Sequence, residues 1–233
     1  MLPPGANHET YEPTPGDMAN LDNACVYFMI GSLDFELNWL PRFTALNKNL
    51  LIINTSKGSD LIQDHTGGDK NVVHGIDPHT WLSLSVVKFQ ANTIAAVLCR
   101  CDSINSKFYR HKLELFSAQI DSLDRMIRVN LHACPGKAFM IFHPALTYFA
   151  RDYGLEQISI EFEGKEPSAS RLHELIELAK VKNIKSILVS KEFDIRNAEA
   201  IASEIHAKVI IFDPMAEDWL SNMVQLSELI AEN

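Results

Sequence analysis

The sequence predicts an α/β fold in which two lobes with parallel sheets are joined by one long backbone helix. Three observations predict it. Short runs that are apolar throughout and end in turn residues alternate with amphipathic segments, as buried parallel strands alternate with crossover helices. In the second half that order reads β-α-β-α-β-α, which implies a parallel sheet covered on both faces. Between the halves, Ser106 to Leu131 contains no proline or glycine. There Tyr109, Leu113, Phe116, Ile120, Leu123, Ile127 and Leu131 recur at spacings of three and four, one continuous apolar stripe. At a rise of about 1.5 Å per residue such a helix is about 39 Å long, more than a small lobe needs.

Taken in order, the chain opens on "PPGANHETYEPTP" (Pro3 to Pro15), where four prolines and a glycine stiffen a loop around His8, Glu9 and Glu12. "ACVYFMIG" (Ala24 to Gly31) and "NLLIINT" (Asn49 to Thr55) read as the first lobe's strands. Between them "SLDFELNWLPRFTALN" reads as a helix with Ser32 as its N-cap. Lys57 to Gly75 reads as a long polar loop. The long stripe follows and "CPG" (Cys134 to Gly136) stops it. "AFMIFH" (Ala138 to His143), "ISIEFEG" (Ile158 to Gly164), "SILVS" (Ser186 to Ser190) and "KVIIFDP" (Lys208 to Pro214) supply the second lobe's strands. The helices "SASRLHELIELAKVKN" and "DIRNAEAIASEIHA" lie between them. The expected organisation is residues 1–105 as one α/β lobe, 106–132 as the linking helix and 133–233 as the second α/β lobe.

Composition excludes several functions. With 233 residues, 46% of them hydrophobic, the chain can bury one large or two small cores. A net charge of −9 without any basic run argues against nucleic acid and anionic membrane as partners, and favours a cation. No apolar run reaches the roughly 18 residues of a membrane span, and the first residues are not a signal peptide. The four cysteines (Cys25, Cys99, Cys101, Cys134) include no CxxC, so a thiolate zinc site is not expected.

Four places put metal-capable side chains on a stiff loop or directly after a strand: His8-Glu9, His79 in "GIDPHTW", His143 in "FHPALTYF" and Asp213 in "IFDP". In an open parallel sheet, ligands bind outside the carboxyl ends of the strands, which is where His143 and Asp213 fall. Taken singly, each has a plain structural role. A histidine after a strand packs and hydrogen-bonds, and Asp213 before a proline forms a turn or caps a helix beginning near Met215. Taken together, four oxygen or nitrogen donors from separate segments match a four-coordinate site for a divalent ion. His65 and His74 read as loop residues, and His111, His132, His173 and His206 as residues of helix surfaces and ends.

Five segments in order and in register, "PPGANHETYEPTPGDMANLDNA", "DPHTWLSL", "FHPALTYFARDYGL", "EGKEPSASRLHELI" and "DPMAEDWL", resemble one family over essentially the whole chain. It is the zinc- and manganese-binding solute-binding proteins of bacterial ABC importers, the ZnuA/TroA-like family. The resemblance implies a metal held in the cleft between two lobes, a membrane permease as partner, and a periplasmic or surface-anchored location. It implies Glu9, His79, His143 and Asp213 as ligands. Glu9 stands where the family usually has its first histidine and His8 where it has a proline, so His8 is the alternative donor; Pro144 replaces the aspartate that usually follows the third. Glu166 and Ser168 of "GKEPS" belong to the loop near the site in a structural role, Ser168 as a helix N-cap, while Gly164 and Pro167 shape that loop. Two imidazoles and two carboxylates suit zinc first and manganese next.

Family members carry a secretion leader, a strand and a helix ahead of the "PPGAN" loop, and Met1 stands in their place here. The expectation is one strand fewer in the first lobe and an uncovered sheet edge open to self-association. Two rival readings use the same donors: a mononuclear zinc hydrolase with a metal-bound water, and a surface adhesin with a structural metal. Against the hydrolase, the chain has neither HExxH nor a Gly-x-Ser-x-Gly elbow.

Overall fold

The alternating strands and helices assemble into two units. In a computed structural model, residues 10–64, 75–134, 136–161, 167–190 and 193–232 are described. Residues 10–63 with 75–119 form one unit and residues 120–232 belong to the other. The division falls inside the long helix. Among the described residues, no helix is long and apolar enough to cross a membrane.

The first unit starts with α1 (Pro15–Asp22), β1 (Val26–Met29), α2 (Asp34–Leu46) and β2 (Leu51–Asn54). Thr14 and Asp17 cap α1 reciprocally, with Pro15 at its first position. Hydrogen bonds from the Thr14 and Tyr11 hydroxyls hold the Asp17 carboxyl down to about 2. β1 and β2 pair in parallel, Val26 opposite Leu51 through Met29 opposite Asn54. The polar stretch after β2 is pinned at its ends by two paired two-residue strands, β3 (Gln63–Asp64) and β4 (Gly75–Ile76). Residues 65–74 lie outside the described residues. A 3-10 turn (Thr80–Leu82) then leads into α3 (Leu84–Cys101), capped by Ser83.

Ser32 does not cap α2. The N-cap is Leu33, which makes no side-chain bond to the helix, and Glu36 in the first helical turn bonds instead to the turn that precedes it. Its carboxylate reaches back and accepts from the amides of Ile30 (3.1 Å) and Gly31 (2.8 Å). One carboxylate thus satisfies two backbone donors of the strand-to-helix turn. Burial pushes the Glu36 carboxyl above the usual carboxylate range, against the pull of the two amides and the Tyr27 hydroxyl. Gly31 itself is obligatory. Its φ is +95°, and a Cβ there would meet the Asn54 amide at 2.0 Å.

The long helix is α4 (Ser106–Asn130). Its stripe is buried at Ile120, Leu123, Ile127 and Leu131, and half-buried at Tyr109, Leu113 and Phe116. The second unit continues with β5 (Ala138–Ile141), α5 (Thr147–Tyr153), β6 (Glu156–Ser159), α6 (Ala169–Val181), β7 (Ser186–Val189), α7 (Arg196–Ile205), β8 (Lys208–Ile211) and α8 (Trp219–Glu232). The strands form one parallel sheet in the order β6-β5-β7-β8. β6 starts two residues before the expected Ile158, because Glu156 pairs with Ala138 at the foot of β5.

One face of this sheet packs Met140, Ile158, Ile187 and Val189 against Leu175 and Ala179 of α6 and Ala198 and Ile201 of α7. The alternate strand residues, Phe139, Ile141 and Leu188, are also buried and point to the opposite face. α4 is tied to α8 by Asn130 donating to Ser227 (2.8 Å) and to α5 by Tyr153 donating to Asp124 (3.0 Å). The four cysteines are free.

Glu36 makes stability depend on pH in a direction that can be checked. A carboxyl whose folded-state pKa is raised contributes stability that is complete below its unfolded value and is lost as pH rises through the folded value. The advantage of the parent over Glu36→Gln is therefore expected to shrink from pH 4 upward, read as the difference in urea midpoint. A constant or growing advantage overturns this account of Glu36.

Candidate metal centre

In the second unit every strand is followed within two residues by a polar one. Across the carboxyl edge these are Glu161 after β6, His143 after β5, Ser190 after β7 and Asp213 after β8. The chain leaves β5 to one side for β6 and to the other for β7 and β8, so the switch point of the sheet lies between β5 and β7. His143 stands at that point. It is buried, with 8% exposed. Its Nδ1–H donates to Glu161 Oε2 at 3.0 Å, and its ring stacks on Phe193 with centroids 5.1 Å apart and planes 16° apart. Bonding Nδ1 to a carboxylate selects the tautomer in which Nε2 carries the lone pair.

Asp213 is half-buried beyond the end of β8. Its Oδ1 accepts from the Met215 amide at 2.9 Å, and its carbonyl accepts from Asn222 Nδ2 at 2.9 Å. It makes the expected turn, but it caps no helix near Met215. α8 begins at Trp219, and Asp218 supplies the capping oxygen to the Ser221 amide. β8 stands two strands from β5, roughly 10 Å at ladder spacing.

In the first unit His79 opens the 3-10 turn and is buried, with 4% exposed. Asp77 Oδ1 accepts from both the His79 amide and its Nδ1–H, each at 2.9 Å. The turn is anchored to the carboxyl end of β2 by Gln90 of α3, whose Nε2 donates to Ser56 Oγ (2.9 Å) and Thr80 Oγ1 (3.1 Å). Both histidines thus have the same arrangement: a buried imidazole whose Nδ1–H is bonded to a carboxylate, leaving the lone pair on Nε2.

His8, Glu9, Gly164 and Glu166 lie outside the described residues. The segment after Glu9 is anchored, because Tyr11 packs edge-on against Phe35 (5.4 Å) and its hydroxyl donates to Asp17 at 2.6 Å. Ser168 caps α6 by accepting from the Arg171 amide. His111, His132, His173 and His206 are exposed. Among the described residues, no three His, Cys, Asp or Glu side chains gather in one group at metal-holding distance.

The sequence reading did not single out Asp77 and Glu161. For Asp77 a signal was present in its spacing, two residues before a histidine across a proline. Glu161 had only the weaker signal of a carboxylate inside an apolar strand.

A family model described as zinc-uptake complex component A, periplasmic (ZnuA), matches residues 1–233. The chain belongs to this family. The high-affinity zinc uptake system protein ZnuA of Bacillus subtilis (strain 168) is 28% identical over 229 residues, 92% of this chain and 70% of that protein. A crystal structure of ZnuA matches 99% of this chain and 88% of its own, with a TM-score of 0.91 and 38% identity. A zinc-bound ZnuA lacking residues 138–173 matches 99% and 86%, with a TM-score of 0.89 and 39% identity.

Replacing Asp77 by alanine leaves the His79 amide and Nδ1–H without their buried acceptor. The metal-free protein is expected to lose about 2 kcal/mol. In thermal unfolding this is a fall of roughly 5 °C, and an unchanged melting point would show that water replaces the carboxylate at no cost.

Proposed function

We propose that this member of the ZnuA family captures one divalent metal ion outside the cytoplasm and delivers it to the permease of an ABC importer, zinc first and manganese second. The family match over the whole chain carries this reading. The donors proposed are Nε2 of His79 and His143 and the carboxylates of Asp213 and Glu9. His8 is the alternative to Glu9.

Support comes from the chemistry of these residues. Two buried imidazoles with Nδ1 bonded to carboxylates are arranged as zinc-binding histidines are throughout metalloproteins. Two carboxylate ligands neutralise a divalent charge, and the −9 surface attracts cations. Imidazole with carboxylate suits zinc and tolerates manganese, while the affinity order of divalent ions favours zinc. A shell closed by four protein donors holds an ion without exposing a coordination position for catalysis, so carriage rather than an enzymatic reaction is the task.

Titrating metal-free protein with zinc against a chromogenic chelator is expected to give one tight site per chain. His79→Ala with His143→Ala is expected to abolish it, and binding as tight as the parent's sinks the assignment. Zinc at about a thousandfold over Kd is expected to add about 4 kcal/mol to the folded state.

Glu9→Ala and His8→Ala separate the two candidates for the remaining ligand. The larger loss of affinity is expected from Glu9. If His8 costs more, the proline-braced loop presents the other residue.

A further inference from the structure

We propose that Glu161 is the positioning residue that sets metal affinity at His143. It does so by holding the imidazole through Nδ1 rather than by touching the ion. The proposal rests on the reading of His143 as a metal ligand.

The pairing is built by the backbone. The β5–β6 ladder runs past its last strand residues, with Ile160 N donating to Ile141 O (3.0 Å) and Glu161 N to Phe142 O (2.9 Å). These bonds bring the end of β6 alongside the end of β5, and the two side chains meet at 3.0 Å. Because side chains alternate along a strand, a one-residue slip would send the carboxylate to the other face and put an apolar neighbour beside the ring.

Phe193 closes one face of the same ring and packs against Phe142 at 5.4 Å. The imidazole is therefore fixed in rotation by the hydrogen bond and in tilt by the stack. A ligand held in one orientation loses no rotameric freedom when the ion arrives.

Charge points the same way. Glu161 is 7% exposed, and among the described residues it meets no lysine or arginine at ion-pair distance. A buried carboxylate is costly unless something nearby supplies positive charge. A cation on the far nitrogen of that imidazole does.

The test compares Glu161→Leu, Glu161→Gln and His143→Ala. It uses zinc affinity by chelator competition, the melting temperature of each metal-free protein, and the visible absorption of the cobalt(II)-loaded forms. Leucine removes the acceptor and is expected to weaken zinc binding tenfold to a hundredfold. Glutamine keeps a neutral acceptor for Nδ1–H and is expected to recover most of the loss, with the parent's cobalt spectrum.

If His143→Ala abolishes tight binding while Glu161→Leu stays within twofold of the parent, the positioning role is overturned. It is equally overturned if glutamine binds as weakly as leucine, since orientation is then not what the carboxylate supplies. If His143→Ala also binds like the parent, the reading of His143 as a ligand fails, and the proposal with it. Metal-free melting separates a general loss of fold from a local one, and Glu161→Ala replaces the leucine variant should that variant not fold.

Discussion

The parallel ladder around β5 is the constraint on which the second unit depends. All four of its residues are buried, and it is bonded to β6 on one side and β7 on the other. A strand in that position has no polar face, so it must be apolar throughout, and its first polar residue marks where it leaves the sheet. His143 is almost that residue: Phe142 still donates to Leu188 O, and the turn through Pro144 begins directly after. The ladder therefore sets both the depth at which the imidazole sits and the neighbours it meets.

The two histidines reach one chemical arrangement by different routes. Asp77 and His79 share a turn, so three residues of local geometry suffice, and the carboxylate also satisfies the histidine's own amide. Glu161 and His143 are eighteen positions apart and meet only because β5 and β6 pair in one register. The first pair survives as long as its turn is held, which Gln90 does from α3. The second pair is a property of the sheet. A buried carboxylate beside each ring fixes the tautomer and makes the far nitrogen more basic.

At the carboxyl end of the first unit's sheet the same economy recurs without a histidine. Glu36 serves two backbone amides, Asn54 Oδ1 accepts from the amides of Ser56 and Lys57, and the Asn54 amide presses on Gly31. Polar side chains thus close both strand exits that an apolar residue would leave with unsatisfied donors. This is also why Ser32 failed as a cap. Its hydroxyl sits one position too early, buried and without a hydrogen-bond partner, while the longer glutamate reaches back.

Periodicity and apolar runs by themselves determined the α/β class, the alternation of strands and helices along the second half, the long helix and the placement of His79, His143 and Asp213 beside strand or helix ends. Those features follow from burial, which acts on residues close in sequence and leaves a pattern of three, four or two. Tertiary structure alone decided which carboxylate meets which histidine across strands, that β6 begins at Glu156, that Glu36 bonds the turn before α2 while Ser32 leaves it uncapped, and that Asp213 turns the chain without capping α8. Each of these depends on register or on the reach of one side chain across space. A hydrogen bond between residues far apart in the chain leaves no periodic trace, because any of several carboxylates would satisfy it equally until the sheet has chosen one.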